Sequence, residues 1–134
     1  KTMESRTTQQ IPISLQAFAG ITKTENQRAF LNKPYYVRAG IVPDPRNMKE
    51  PIALDILIQG SDNIELLAGW YRQLNYDPDN TKSQLVEFTI RPKEVGQSTL
   101  IVDFYYEQSW LKTIKLQFES IPQGARARSS HQES

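Results

Sequence analysis

Acid–base, nucleophilic and metal chemistry all draw on a few residue types, and this chain is poor in them. Its one histidine is His131, remote from the periodic part of the sequence, and it has no cysteine. A serine or threonine nucleophile needs a base within reach. His131 lies in a stretch without apolar period, so a Ser-His-Asp constellation is not expected. Histidine and thiolate metal sites fail on the same count, and no disulfide framework is possible. Neither G-x-x-x-x-G-K-[ST] nor G-x-G-x-x-G occurs, so no phosphate cradle is indicated. Carboxylates remain. Asp77 and Asp79, beside Asn80, could offer oxygens to calcium, but the EF-hand spacing and its sixth-position glycine are missing. Turn-forming Asp and Asn is the simpler account. Asp55 and Asp103 each alternate out of an apolar set and could pair as general acid and base on a sheet face. Strand aspartates facing solvent, or paired with Lys and Arg, are the more ordinary case. No catalytic residue, metal ligand or cofactor is therefore expected, and the chain reads as a non-enzyme.

The aromatic residues carry more information. Tyr35, Tyr36, Trp70, Tyr71, Tyr76, Tyr105, Tyr106 and Trp110 exceed what one small core would obviously absorb. Trp70, Tyr71 and Trp110 stand beside expected turns, where rings can stay partly exposed. Such a ring row could stack on sugars or anchor a protein partner. It could equally cap the open ends of a sandwich, apolar body inward. These three are the candidate ligand or partner contacts. The pair Arg126 and Arg128 is too small for a nucleic-acid patch. The balance of 16 basic against 15 acidic residues, net charge +1, gives no reason to expect nucleic acid or an anionic membrane.

Positioning these residues falls to strands. The segment Gly96–Phe118 is the clearest: Leu100, Val102, Phe104 and Tyr106 alternate with Ile101, Asp103 and Tyr105. After the polar Glu107-Gln108-Ser109 connection, Ile114, Leu116 and Phe118 alternate with Thr113, Lys115 and Gln117. Period-two alternation marks a strand with one face buried, so this is a β-hairpin. Tyr35–Val42, the Ile52–Ile58 run and Val86–Ile90 alternate in the same way. A first strand is expected from Ile11 to Ala17, placed at a sheet edge by Pro12, which cannot donate to a central ladder. Phe18–Lys33 shows no pattern and is expected as a loop with one helical turn or short strand. Ile64–Leu67 reads as a short strand, Trp70–Leu74 as its continuation or a separate one, and Asn75–Ser83 as a solvated loop. The free edges are expected at Ile64–Leu67 and at the first strand.

About seven or eight strands at turn spacings of roughly 8–12 residues, with no helical pattern between them, predict an all-β fold. The architecture expected is an antiparallel two-sheet β-sandwich, immunoglobulin-like. A chain of 134 residues is one domain's worth. We expect residues 1–10 to form a flexible lead-in, 11–121 the sandwich and 122–134 a disordered tail. Its core is expected to hold Val37, Ile41, Leu54, Ile56, Ile58, Val86, Phe88, Ile90, Leu100, Val102, Phe104, Ile114, Leu116 and Phe118. No apolar run approaches the roughly 20 residues of a membrane helix, and the longest, Ile52–Ile58, contains Asp55. No signal peptide is visible, and the absence of cysteine fits a reducing compartment, so a cytoplasmic location is expected. The opening on Lys1 rather than Met suggests a processed chain or a segment of a longer protein.

The sequence Val86–Phe118 resembles a β-sandwich accessory module of bacterial multidomain proteins that also carry caspase-like protease or NACHT-type NTPase domains. Phe88-Thr89-Ile90-Arg91-Pro92 fills the F-x-[IL]-x-P strand, Gly96 the glycine turn, Leu100–Tyr105 the [IL]-x-V-x-F-Y strand and Trp110–Leu116 the closing strand. Together with Tyr35–Ile58, which fits less sharply, the resemblance covers about half the chain and implies no catalytic residues. It implies a non-catalytic protein-interaction or spacer module in a bacterial signalling or effector protein, with a flanking domain or another chain as partner. The alternative from the residues is a carbohydrate-binding module using Trp70, Tyr71 and Trp110, with a glycan as ligand.

Overall fold

A computed structural model describes residues 16–44, 46 and 48–123. The expected lead-in 1–10, the residues Ile11–Leu15 of the expected first strand, and His131, Arg126 and Arg128 lie outside the described residues. Among the described residues the chain is all β, with nine strands: β1 (Gln16–Ile21), β2 (Arg28–Phe30), β3 (Tyr35–Val42), β4 (Ile52–Gly60), β5 (Ile64–Leu66), β6 (Tyr71–Tyr76), β7 (Gln84–Pro92), β8 (Gly96–Tyr106) and β9 (Ser109–Ile121). They form a four-stranded sheet, β1-β3-β7-β5, and a five-stranded sheet, β2-β9-β8-β4-β6. From β1 to β8 the chain changes sheet at every connection. Only the β8–β9 hairpin keeps two successive strands together. All pairings between these strands are antiparallel except β2 with β9.

The alternation in the sequence becomes the inner face of the sandwich. Tyr35, Val37, Ala39 and Ile41 of β3 and Phe88 and Ile90 of β7 lie against Leu54, Ile56 and Ile58 of β4, Leu100, Val102 and Phe104 of β8, and Phe118 of β9, all buried. Each buried Val, Leu, Ile or Phe side chain of this set contributes about 1.5–3 kcal/mol of transfer free energy. The two buried tyrosines keep their hydroxyls satisfied. Tyr35 Oη accepts from the Phe30 amide at 2.8 Å, and Tyr76 Oη donates to the Met48 carbonyl at 3.1 Å. Arg72 closes the gap between the sheets along β6 and β7. Its guanidinium lies 4.9 Å from the Phe88 ring centroid and donates to the Glu87 carbonyl at 3.0 Å. Gly40 is required where β3 meets β7, because a Cβ there would stand 2.0 Å from the Gln84 carbonyl oxygen.

Several expectations need correction. The first described strand is Gln16–Ile21, so Phe18–Ile21 extends the first strand and does not begin the expected loop; the short strand allowed within Phe18–Lys33 is β2. Trp70–Leu74 does not continue the Ile64 run: β6 starts at Tyr71 in the opposite sheet. Asn75 and Tyr76 belong to β6, and Tyr76 is fully buried, so the solvated loop is shorter than Asn75–Ser83. The hairpin turn is the pair Glu107-Gln108, with φ of 48° and 71°, and Ser109 already pairs with Tyr106. Val86, Ile114 and Leu116 are only half-buried, because they pack at the rim of the core. Nine strands replace seven or eight, since β2 is too short to alternate. The Ile64 run and the first described strand are, as expected, the edges of the four-stranded sheet.

Candidate functional site

The outer face of the five-stranded sheet gathers the candidate residues. Register places Tyr71 of β6 opposite Leu57 of β4, Leu57 opposite Asp103 of β8, and Asp103 opposite Thr113 of β9. The neighbouring row runs Gln73, Asp55, Tyr105 and Trp110. Alternation that buries Leu54, Ile56, Val102 and Phe104 necessarily turns these side chains to the other face. A register shift between Phe104 and Tyr105 lets β9 carry one extra residue, and this bulge aims Trp110 onto the row of Tyr105.

Tyr71 and Trp110 are thus on one sheet, with Trp70 immediately before β6, and Trp70, Tyr71 and Trp110 are all exposed, at 59%, 42% and 60%. Trp70 ends the connection from β5, following Gly69, whose φ of 88° suits glycine. The Trp70 and Tyr71 rings meet edge to face, with centroids 6.3 Å apart and planes at 61°. Tyr71 and Trp110 stand three strand spacings apart, about 14 Å, at opposite sides of the face. The structure therefore brings Trp70 to Tyr71 and sets Trp110 across the face from them. Between lie Leu57, Asp55, Asp103 and Tyr105.

Two hydrogen-bond chains stiffen this surface. Tyr71 Oη donates to Asp55 Oδ1 at 2.5 Å. That bond, with partial loss of water and the carboxylate's charge behind it, holds the Tyr71 phenol above the usual tyrosine range. Across the face, Trp110 Nε1 donates to Thr113 Oγ1 at 2.7 Å, and the Thr113 hydroxyl donates to Asp103. Asp103 and Thr113 face each other at a position where the strands exchange no backbone bonds, which brings side chains closest. Beside Asp103, Leu57, Gln59, Leu66, Trp70 and Tyr105 enclose an open groove of about 510 Å³.

Asp55 and Asp103, the possible hydrolytic pair, are on one face of one sheet and on neighbouring strands, offset diagonally. They are not on opposite sheets. Each gives one oxygen to a hydroxyl of the face, Tyr71 or Thr113, and each is half-exposed. A general acid needs a site that keeps water away from its carboxyl, and this surface is open. The arrangement suits binding better than proton transfer.

The Asp77, Asp79 and Asn80 cluster is a turn. Asp77 Oδ1 accepts from the Asp79 amide at 3.0 Å, and Asn80 Oδ1 from the Lys82 amide at 3.1 Å. Buried Gln84 pins it, accepting from the Asp77 amide and donating to the Asp77 carbonyl, both at 2.8 Å. Among the described residues no group of three potential ligands could hold a metal. Sequence reasoning missed Leu57, Thr113 and the groove. Leu57 and Thr113 belong to the outward half of each alternating run, so that half could have flagged them.

No protein-family model matches the sequence, and no curated protein does. Solved structures are similar in fold. One is native α-2-macroglobulin from Escherichia coli, spanning domain MG7 to the C-terminus, with 8% identity and a TM-score of 0.59 over 83% of this chain. This chain spans 17% of that structure's length. Another is a cohesin module of a family 33 glycoside hydrolase from Clostridium perfringens, with 12% identity and a TM-score of 0.52, covering 81% of this chain and 98% of the module. At such identities the likeness is one of fold, and it bears out the two-sheet β-sandwich.

Proposed function

We propose that this chain is a non-catalytic protein-interaction module of a larger bacterial protein, docking a flanking domain or another chain through the outer face of its five-stranded sheet. The observation that carries the reading is the placement of Trp70, Tyr71 and Trp110, all exposed, around the half-buried Leu57 and Tyr105 on one stiffened surface. Tryptophan and tyrosine dominate the energetic centres of protein interfaces, because a large ring buries much area at little entropic cost. Both fold neighbours are parts of larger proteins, one a module of a glycoside hydrolase and the other a stretch of a macroglobulin, which supports the modular reading. The resemblance of Val86–Phe118 adds caspase-like protease or NACHT-type NTPase domains as the neighbours to look for, in a cytoplasmic protein.

The test is calorimetric titration of this chain with the domains encoded beside it in the parent protein. Binding is expected, weakened by about tenfold or more in Trp70→Ala and in Trp110→Ala, and unchanged in Arg38→Ala on the opposite sheet. Absence of binding to every flanking domain, or binding indifferent to both tryptophans, would overturn the reading. The carbohydrate alternative is favoured by one observation, the fixing of the exposed Trp110 ring through Thr113 to Asp103. It requires saturable glycan-array signal that disappears in Trp110→Ala.

A further inference from the structure

We infer that the groove beside Asp103 receives a basic side chain, an arginine or a lysine, of the protein partner. The inference rests on the docking face proposed above and names what that face recognises. Its first support is charge. The other carboxylates carried on strands have their cations: Glu87 pairs with Arg38 at 3.1 Å, Glu65 with Arg91 at 2.8 Å and with Lys93 at 3.6 Å, and Glu119 with Arg28 at 3.8 Å. Asp55 and Asp103 form no ion pair among the described residues, although Lys115 is on the same face, two residues from Thr113 along β9. Of the strand carboxylates among the described residues, the two without a cation are thus both on the face that carries the exposed rings.

The second support is the geometry around Asp103. Its carboxylate accepts from the Thr113 hydroxyl, which itself accepts from Trp110 Nε1. An ionised carboxylate has about four lone-pair directions, and this chain uses one. The chain also holds the carboxylate in place, so a partner's cation meets a preorganised acceptor. Two rings, Trp70 and Tyr105, line the same groove with Leu57 and Leu66. A cation set against an aromatic face gains ring-quadrupole attraction while its methylene stem covers apolar surface. Carboxylate, rings and aliphatic wall together match a long basic side chain. A neutral sugar would use the rings but has no need of an unpaired negative charge.

The probe is a blocked glycyl-arginyl-glycine amide, with its citrulline counterpart as the uncharged control, followed by amide and indole NMR shifts of the whole chain. The arginine peptide is expected to shift the Trp70 indole and the Asp103 and Tyr105 amides saturably. The citrulline peptide should not, and Asp103→Asn, which keeps the acceptor for Thr113, should remove the effect. No arginine-dependent shift, or shifts that persist in Asp103→Asn, overturn the inference. The flanking-domain titration separates the two claims. Loss of about tenfold affinity in Asp103→Asn, relieved at high salt, supports the cation groove. Partner binding that needs Trp70 but ignores Asp103→Asn leaves the docking face standing and sinks the groove. If no flanking domain binds, the docking face falls, and the peptide experiment still decides the groove.

Discussion

Tyr71 shows how a single residue reports on the candidate face. Its hydroxyl donates to Asp55, and that bond favours the neutral phenol, so its folded-state pKa is raised above the ordinary tyrosine value of about 10. The sign follows from linkage: the bond stabilises the fold fully below the unfolded pKa, and that contribution is lost as pH rises through the folded value. Spectrophotometric titration of the tyrosinate band should therefore reveal one tyrosine ionising later than its exposed peers. Asp55→Asn should bring it back. The stability gap between the native chain and Tyr71→Phe should shrink as the solution becomes strongly alkaline. A titration curve unchanged by Asp55→Asn would show that the bond does not form in solution. Residue roles of this kind are hard to read in advance. Asp55 could be seen as outward-facing, but its partner depends on β6 lying beside β4, which no local pattern in Tyr71–Tyr76 announces.

At the scale of elements, the β8–β9 hairpin carries a testable strain. Its two-residue turn places Glu107 and Gln108 at φ of 48° and 71°. A left-handed conformation costs a non-glycine residue roughly 1 kcal/mol, and such turns favour Asn-Gly. Replacing Glu107-Gln108 by Asn-Gly should raise stability by about 1 kcal/mol, read as a higher urea midpoint at constant m-value. A lower midpoint would mean the native pair makes contacts worth more than the strain. The long strands were legible because their buried halves are consistently apolar: Val37 to Ile41, Leu54 to Ile58, Leu100 to Phe104. The others were not, for physical reasons. β1 is an edge strand, half-buried along most of its length, so AFAGI shows no alternation. β2 has three residues and owes its existence to parallel pairing with Glu119–Ile121. β6 presents Arg72 toward Phe88 between Tyr71 and Leu74, which hides its period.

For the molecule as a whole, the two sheets share one core, and Phe104, with no exposed surface, is near its centre. Phe104→Ala should cost about 3–5 kcal/mol in urea denaturation; a loss under about 1 kcal/mol would contradict its burial between the sheets. The arrangement of strands has a further consequence, for the timing of synthesis. Because successive strands from β1 to β8 fall in alternate sheets, none of the first seven is hydrogen-bonded to the strand just before it. On the ribosome, β4 emerges with its central neighbour β8 still untranslated, and β2 waits for β9. The five-stranded sheet, and with it the aromatic face, can be assembled only once the final hairpin has left the exit tunnel. Until then β4, which carries Leu54, Ile56 and Ile58, lacks its central neighbour, although every strand of the opposite sheet has emerged. A nascent chain of this design completes its core only when its last two strands are out.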